Sequence, residues 1–160
     1  MKKFLSLVLA AVMLMAMTAC AFAESDMSDW VEVEMTDIGM HFYRPADMIT
    51  DDPDTEADQV YVAANEDVTV AIYVIGTGDS TADDLIVAFQ EQGLTAEINA
   101  LSESGLTYDH IFVASDEDAN YAAVIFLGSD NCWYDFEAYA QNENGLTTYG
   151  MILGTLSPIE

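Results

Sequence analysis

The segment VTVAIYVI, residues 68–75, is apolar on both of its faces. Successive side chains of a strand point to opposite sides, so Val68, Val70, Ile72 and Val74 share one face while Ala71, Tyr73 and Ile75 line the other. A sheet with one wet face would place a polar residue at every second position. A strand apolar on both sides lies centrally, with a layer packed on each face. This segment commits the chain to a sheet covered from two sides.

Shorter elements are read around that strand. WVEVEM, residues 30–35, sets Val31, Val33 and Met35 against Glu32 and Glu34, the alternation of a half-buried strand. TDIG is a turn and GMHFYR a returning strand, giving a hairpin that Pro45 ends, because proline has no N–H for a ladder. QVYVAA, residues 59–64, precedes the central strand across the turn NED. GTGDS then breaks the chain and a helix begins. Ser80 or Thr81 caps it, with Asp83 or Asp84 three residues on as in a capping box. Ala82, Leu85, Ile86 and Phe89 form its apolar stripe, and Gly93 is a natural stop. TAEINAL, LTYDHIFVAS, YAAVIFLG and CWYDFEAYA follow, separated by short polar turns, as an antiparallel meander. Residues 143–156 read as a second helix with Leu146, Tyr149, Gly150 and Leu153 on one face. Gly145, Gly150 and Gly154 each cost it about 1 kcal/mol relative to alanine, so it is stable only when docked, its glycines letting the backbone lie close to the sheet. The predicted class is α+β, a largely antiparallel sheet of about six to eight strands with two helices packed on it.

The chain opens MKKFLSLVLAAVMLMAMTACAFAES. Lys2 and Lys3 precede an apolar run, and Ala21-Phe22-Ala23 fits the small-x-small rule for signal peptidase. Residues 1–23 are predicted to be a signal peptide cut between Ala23 and Glu24, residues 24–29 a flexible lead-in, and residues 30–160 a single domain. A retained membrane anchor is the weaker reading, since an acidic, polar stretch follows at once. A second route competes: MTAC, residues 17–20, resembles the lipobox of bacterial lipoproteins, with Met17 where leucine is usual, and would make Cys20 a lipidated first residue. Both routes place the mature protein outside a bacterial cytoplasm, secreted or on the outer face of the cytoplasmic membrane. Membrane contact is expected only through a lipidated Cys20.

The chain holds 29 acidic residues against three Lys and Arg, a formal charge of −26 that falls by two more units once Lys2 and Lys3 are removed. Such a surface repels nucleic acid and anionic headgroups and attracts cations, which excludes a nucleic-acid function. Cys132 keeps no intramolecular partner whether Cys20 is removed or lipidated, so no disulfide is expected within the mature chain. Stability must come from burial, and the 52% hydrophobic content permits it.

The order of elements ends on MILGTLSP. It resembles the PsbP-like α/β/α sandwich group, which includes small exported bacterial domains of unknown function. Members commonly open with a short strand and a G-x-x-F-x-x-P segment, matched here by Gly39, Phe42 and Pro45. They close near IL-x-S/T-L, matched by Ile152, Leu153, Thr155 and Leu156. A tryptophan often follows the proline in the family, and Met48 stands near that place. The resemblance implies the sandwich over nearly the whole mature chain. It implies no catalytic residue, because the group shares a fold and no single chemistry.

Arg44 is the one basic residue beyond residue 3. Its expected role is structural, an ion pair tying the strand end to Asp47 or to an acid of the 51–58 loop, since a planar guanidinium binds carboxylate bidentately. An anion anchor for a ligand is the alternative, disfavoured by the surrounding negative charge. The densest acid cluster is Asp51, Asp52, Asp54, Glu56 and Asp58. Asp52, Asp54 and Glu56 alternate like the first ligands of a calcium loop, but Ala57 stands where glycine is needed and Ala63 where the bidentate glutamate is needed. An irregular Ca²⁺ site, joined by Asp116, Glu117 and Asp118, is weighed against a merely solvated loop. His41 and His110 lie in strands, and Cys132 reads as a buried inert thiol sharing a face with Tyr134 and Phe136. No nucleophile elbow, P-loop, dinucleotide fingerprint or CxxC is present. No cofactor is expected beyond that Ca²⁺. The functional expectation is an exported, non-catalytic binding or interaction module of the bacterial cell envelope, its partner an unidentified protein or small ligand. A weak Ca²⁺ binder is the alternative, and a hydrolase comes third.

Overall fold

The computed structural model describes residues 27–101, 106, 108–115 and 117–159. Cleavage between Ala23 and Glu24, lipidation of Cys20 and the contribution of Asp116 lie outside the described residues.

In chain order the elements are β1 (Trp30–Met35), β2 (Met40–Pro45), β3 (Ile49–Thr50), β4 (Gln59–Ala64), β5 (Val68–Thr77), α1 (Ala82–Glu91), β6 (Leu94–Ile98), β7 (His110–Ser115), β8 (Tyr121–Leu127), β9 (Cys132–Ala140), α2 (Glu143–Thr155) and β10 (Ser157–Pro158). Seven strands form an antiparallel sheet in the order β3-β4-β5-β9-β8-β7-β6. β5 pairs with β4 on one side and β9 on the other, the central place that its two apolar faces require. The class is α+β, as the patterning predicts.

One face of this sheet carries Val68, Val70, Ile72, Val124, Phe136 and their neighbours, all fully buried. It is covered by α2, through Tyr149, Ile152 and Leu153, and by β2, through Met40 and Phe42. Each such side chain contributes about 1.5–3 kcal/mol when withdrawn from water. The Tyr149 hydroxyl donates to the Phe136 carbonyl, so the helix is tied to β9 by a buried polar contact as well as by packing. Gly145 marks the closest approach: a Cβ there would overlap the Asp67 carbonyl oxygen and stand 2.9 Å from the Ala140 Cβ. The opposite face is covered by α1, whose Leu85, Ile86 and Phe89 pack over Ala96, Ile111, Val113 and Ile125. Of the two expected caps the structure uses Thr81, whose Oγ1 accepts from the Asp84 N–H while the Asp84 carboxylate accepts from the Thr81 N–H.

The N-terminal hairpin does not extend the large sheet. β1 and β2 form a separate three-stranded sheet with β10, in which Ser157 pairs with His41 and Pro158 with Met40. β3 and β10 are two residues long, too short to carry a period that sequence could show.

Candidate functional site

α1 lies over β6 and β7 and leaves part of its sheet face open where β5, β9 and β8 run side by side. Along β9 the side chains on that face are Trp133, Asp135, Glu137 and Tyr139. Tyr73 and Ile125 flank Asp135 across the ladders, Ala71 and Ala123 flank Glu137, and Tyr121 stands opposite Tyr139. A cleft of about 400 Å³ results, bordered by Phe89 and Gln92 at the end of α1, by Leu94, and by Tyr121, Asp135, Glu137 and Tyr139 on the strands, with Asp118 at its rim.

Asp135 is 7% exposed, and its Oδ1 has no hydrogen-bond partner. Burial, with a smaller contribution from the charge of Glu137, pushes its carboxyl up to about 8. At neutral pH it is therefore largely protonated. Burial also raises Glu137, while the hydroxyls of Tyr73, Tyr121 and Tyr139 stand close enough to stabilise its charged form. Those tyrosines are raised in turn, by burial first and then by the neighbouring carboxylates. Tyr73 accepts a 2.9 Å hydrogen bond from Gln59 Nε2, and the Tyr121 and Tyr139 rings lie 5.2 Å apart at 51°. A buried acceptor without a donor costs on the order of 1–3 kcal/mol. A pair of perturbed carboxyls in a cleft is the arrangement that functional sites favour.

A second constellation lies on the outer face of the small sheet. His41 Nδ1 is 3.0 Å from Glu32 Oε1, and His41 Nε2 is 2.7 Å from Ser157 Oγ, which is the hydrogen-bond order of a serine nucleophile, base and orienting acid. The rest of an acyl-transfer site is not assembled around it. The residue after the serine is Pro158, which has no N–H to offer an oxyanion. Glu34 borders the same depression and would repel negative charge developing there. The chain of hydrogen bonds fastens β10 to β2 and β1.

The residues singled out from the sequence fall elsewhere. Arg44, expected to pair with an acid, donates instead to the carbonyls of Pro45 and Met48 and to Thr50 Oγ1. Asp47 is engaged by the Asn65 amide at 3.2 Å. The guanidinium is thus a clamp on the β2–β3 corner, where the chain leaves one sheet for the other and has carbonyls to satisfy. Asp51, Asp52, Asp54, Glu56 and Asp58 are all exposed. Asp54 spends its carboxylate on the Glu56 N–H at the head of a short 3-10 turn. Among the described residues no three His, Cys, Asp or Glu side chains converge as a metal centre requires. His110 is 1% exposed; its Nε2 accepts from the Leu101 N–H and its Nδ1 faces the Tyr108 carbonyl at 2.9 Å. Burial lowers its pKa, so it is a satisfied neutral imidazole. Cys132 packs against the core beside Tyr134 and Phe136, with burial and Asp130 pushing its thiol up. Asp135 and Glu137 were hidden in CWYDFEAYA by the tyrosines around them, which read as ordinary strand composition. The usable signal was two acids at i and i+2 on one face of a strand whose neighbours are aromatic.

No family model matches the chain, and no curated protein matches it in sequence. The solution structure of cyanobacterial PsbP (CyanoP) from Synechocystis sp. PCC 6803 is similar in fold, with a TM-score of 0.51 over 84% of this chain and 95% of that one, at 11% identity. The architecture is PsbP-like, as GMHFYRP and MILGTLSP imply. At that identity the likeness concerns the fold alone. No helix among the described residues is long and apolar enough to cross a membrane.

Proposed function

We propose that this chain is an exported, non-catalytic binding module acting outside the cytoplasm at a bacterial cell envelope, and that it binds through the cleft at Asp135 and Glu137. The observation that carries the reading is Asp135, a buried carboxyl whose Oδ1 lacks a partner and which borders an open cleft. A sheet built only for stability would place an apolar residue there, since replacing an unsatisfied buried polar group by an apolar one of like shape removes a desolvation cost. The PsbP-like fold and the export signal at residues 1–23 support action as an extracytoplasmic binding domain.

The non-catalytic part is tested at Ser157, the group nearest to a nucleophile. Protein recovered from the exported fraction should hydrolyse p-nitrophenyl acetate no faster than its Ser157→Ala variant does. A burst or turnover that disappears in that variant, with unchanged thermal unfolding, would make the small sheet an active site and overturn the reading.

A further inference from the structure

We infer that the cleft takes an organic cation bearing N–H groups, a primary ammonium or a guanidinium, held between Asp135 and Glu137 with its carbon chain against Tyr121, Tyr139 and Phe89. This rests on the cleft being the binding site and names the chemistry of its ligand.

Five observations converge on that class. Asp135 Oδ1 is buried without a hydrogen-bond partner, and N–H groups reaching this carboxyl would favour its ionised, accepting form. The hydroxyls of Tyr73, Tyr121 and Tyr139 stand against the Glu137 carboxyl, and no basic side chain of the described residues borders the cleft. Arg44 is committed to the carbonyls of the β2–β3 corner. Phe89 and Gln92 place the C-terminal end of α1 at the rim, where the helix presents its negative pole and favours positive charge. The Tyr121 and Tyr139 rings flank the carboxylates, and aromatic faces attract cations.

Other ligand classes fit less well. A hard divalent ion takes six to eight oxygens, whereas the cleft offers two adjacent carboxyls and no third acid converging on them among the described residues. A quaternary ammonium has no N–H for Asp135. A neutral ligand brings no charge to the carboxyl pair, and an anion meets a surface of formal charge −26. The cation has two sources, a free amine or the Lys or Arg side chain of another polypeptide.

The test is a titration of the exported protein at pH 7 and constant ionic strength, followed by amide shifts of residues 121 and 135–139 in ¹H–¹⁵N spectra. The probes are n-butylammonium, ethylguanidinium, tetramethylammonium, CaCl₂ and the peptide acetyl-Gly-Lys-Gly-amide. Butylammonium or ethylguanidinium should shift those amides saturably, and tetramethylammonium at least tenfold more weakly. Asp135→Asn and Glu137→Gln, each checked for an unchanged fold, should weaken binding by tenfold or more. A lysyl peptide binding tenfold more tightly than butylammonium makes the source a polypeptide; equal affinity makes it a free amine. Saturable shifts of the same amides by CaCl₂ and not by the amines would keep the cleft as the site and overturn the ligand class. No shift of these amides by any probe would overturn the cleft itself.

Discussion

Asp135 shows how one residue can trade stability for a site. Its folded carboxyl titrates near 8 against an ordinary 3.8, so between those values the native state holds a proton that the unfolded chain has released. Stability then falls as pH rises through that window and levels off above it. The groups facing Asp135 are Glu137 beside it on β9, Tyr73 on β5, Tyr121 on β8 and Tyr139 on β9, with Asp118 at the rim; none of them supplies a positive charge that would reverse the sign. Asp135→Asn keeps the shape and removes the titration. The variant should unfold at a higher temperature than the parent at pH 8, by at least about 1 kcal/mol of stability, and the two should converge near pH 4. Melting curves at both pH values check this; a variant less stable at pH 8 would mean that the carboxylate is held by partners. Arg44 carries the matching lesson about legibility. Its place at the strand end before Pro45 was readable, but its partners were not. Carbonyls at a chain corner leave no trace in residue type, whereas a nearby acid invites pairing by charge alone.

At the scale of elements, patterning located what repeats and missed what does not. β5, α1 and α2 were legible because apolar side chains recur at two or 3.6 residues for several turns or pleats. β3 and β10 were not, because a two-residue strand is defined by the partner it meets. The separate sheet of β1, β2 and β10 escaped for the same reason: alternation in WVEVEM says that one face is buried, not which sheet receives it. The cleft was invisible because it depends on where α1 stops relative to β9, a matter of packing between distant segments. Gly145 offers a test of packing against propensity. Alanine there gains about 1 kcal/mol of helix propensity, yet its Cβ would overlap the Asp67 carbonyl oxygen, and backbone cannot yield as a flexible side chain does. Overpacking of this kind costs typically about 1–3 kcal/mol, so the collision outweighs the propensity gain. Gly145→Ala is expected to lower the unfolding temperature; a stabilised variant would show α2 standing further from β5 than described.

The whole molecule is a two-faced sheet inside a shell of one sign. With 29 acids and three basic side chains, the shell repels itself, and compaction raises that repulsion. The core supplies what surface ion pairs cannot, a division of labour that the composition alone makes plain. Sodium chloride should therefore raise the unfolding temperature progressively as the Debye length falls from about 10 Å at 0.1 M to about 3 Å at 1 M. CaCl₂ and MgCl₂ at equal concentration should act alike, because the carboxylates of the 51–58 loop are spread over an exposed surface. Calcium-specific stabilisation approaching 2.7 kcal/mol, the gain of a single site at about 100 times its dissociation constant, would make that loop a metal site after all.

The clasp between β2 and β10 has a consequence in time. Ser157 and His41 are 116 positions apart, and the small sheet they close covers one face of the large one. A chain delivered N-terminus first, whether from a ribosome or through a translocation channel, cannot fasten that clasp until Ser157 and Pro158 arrive. Up to that moment β2 has one edge unpaired. The small sheet is therefore completed after every strand of the large one is in hand.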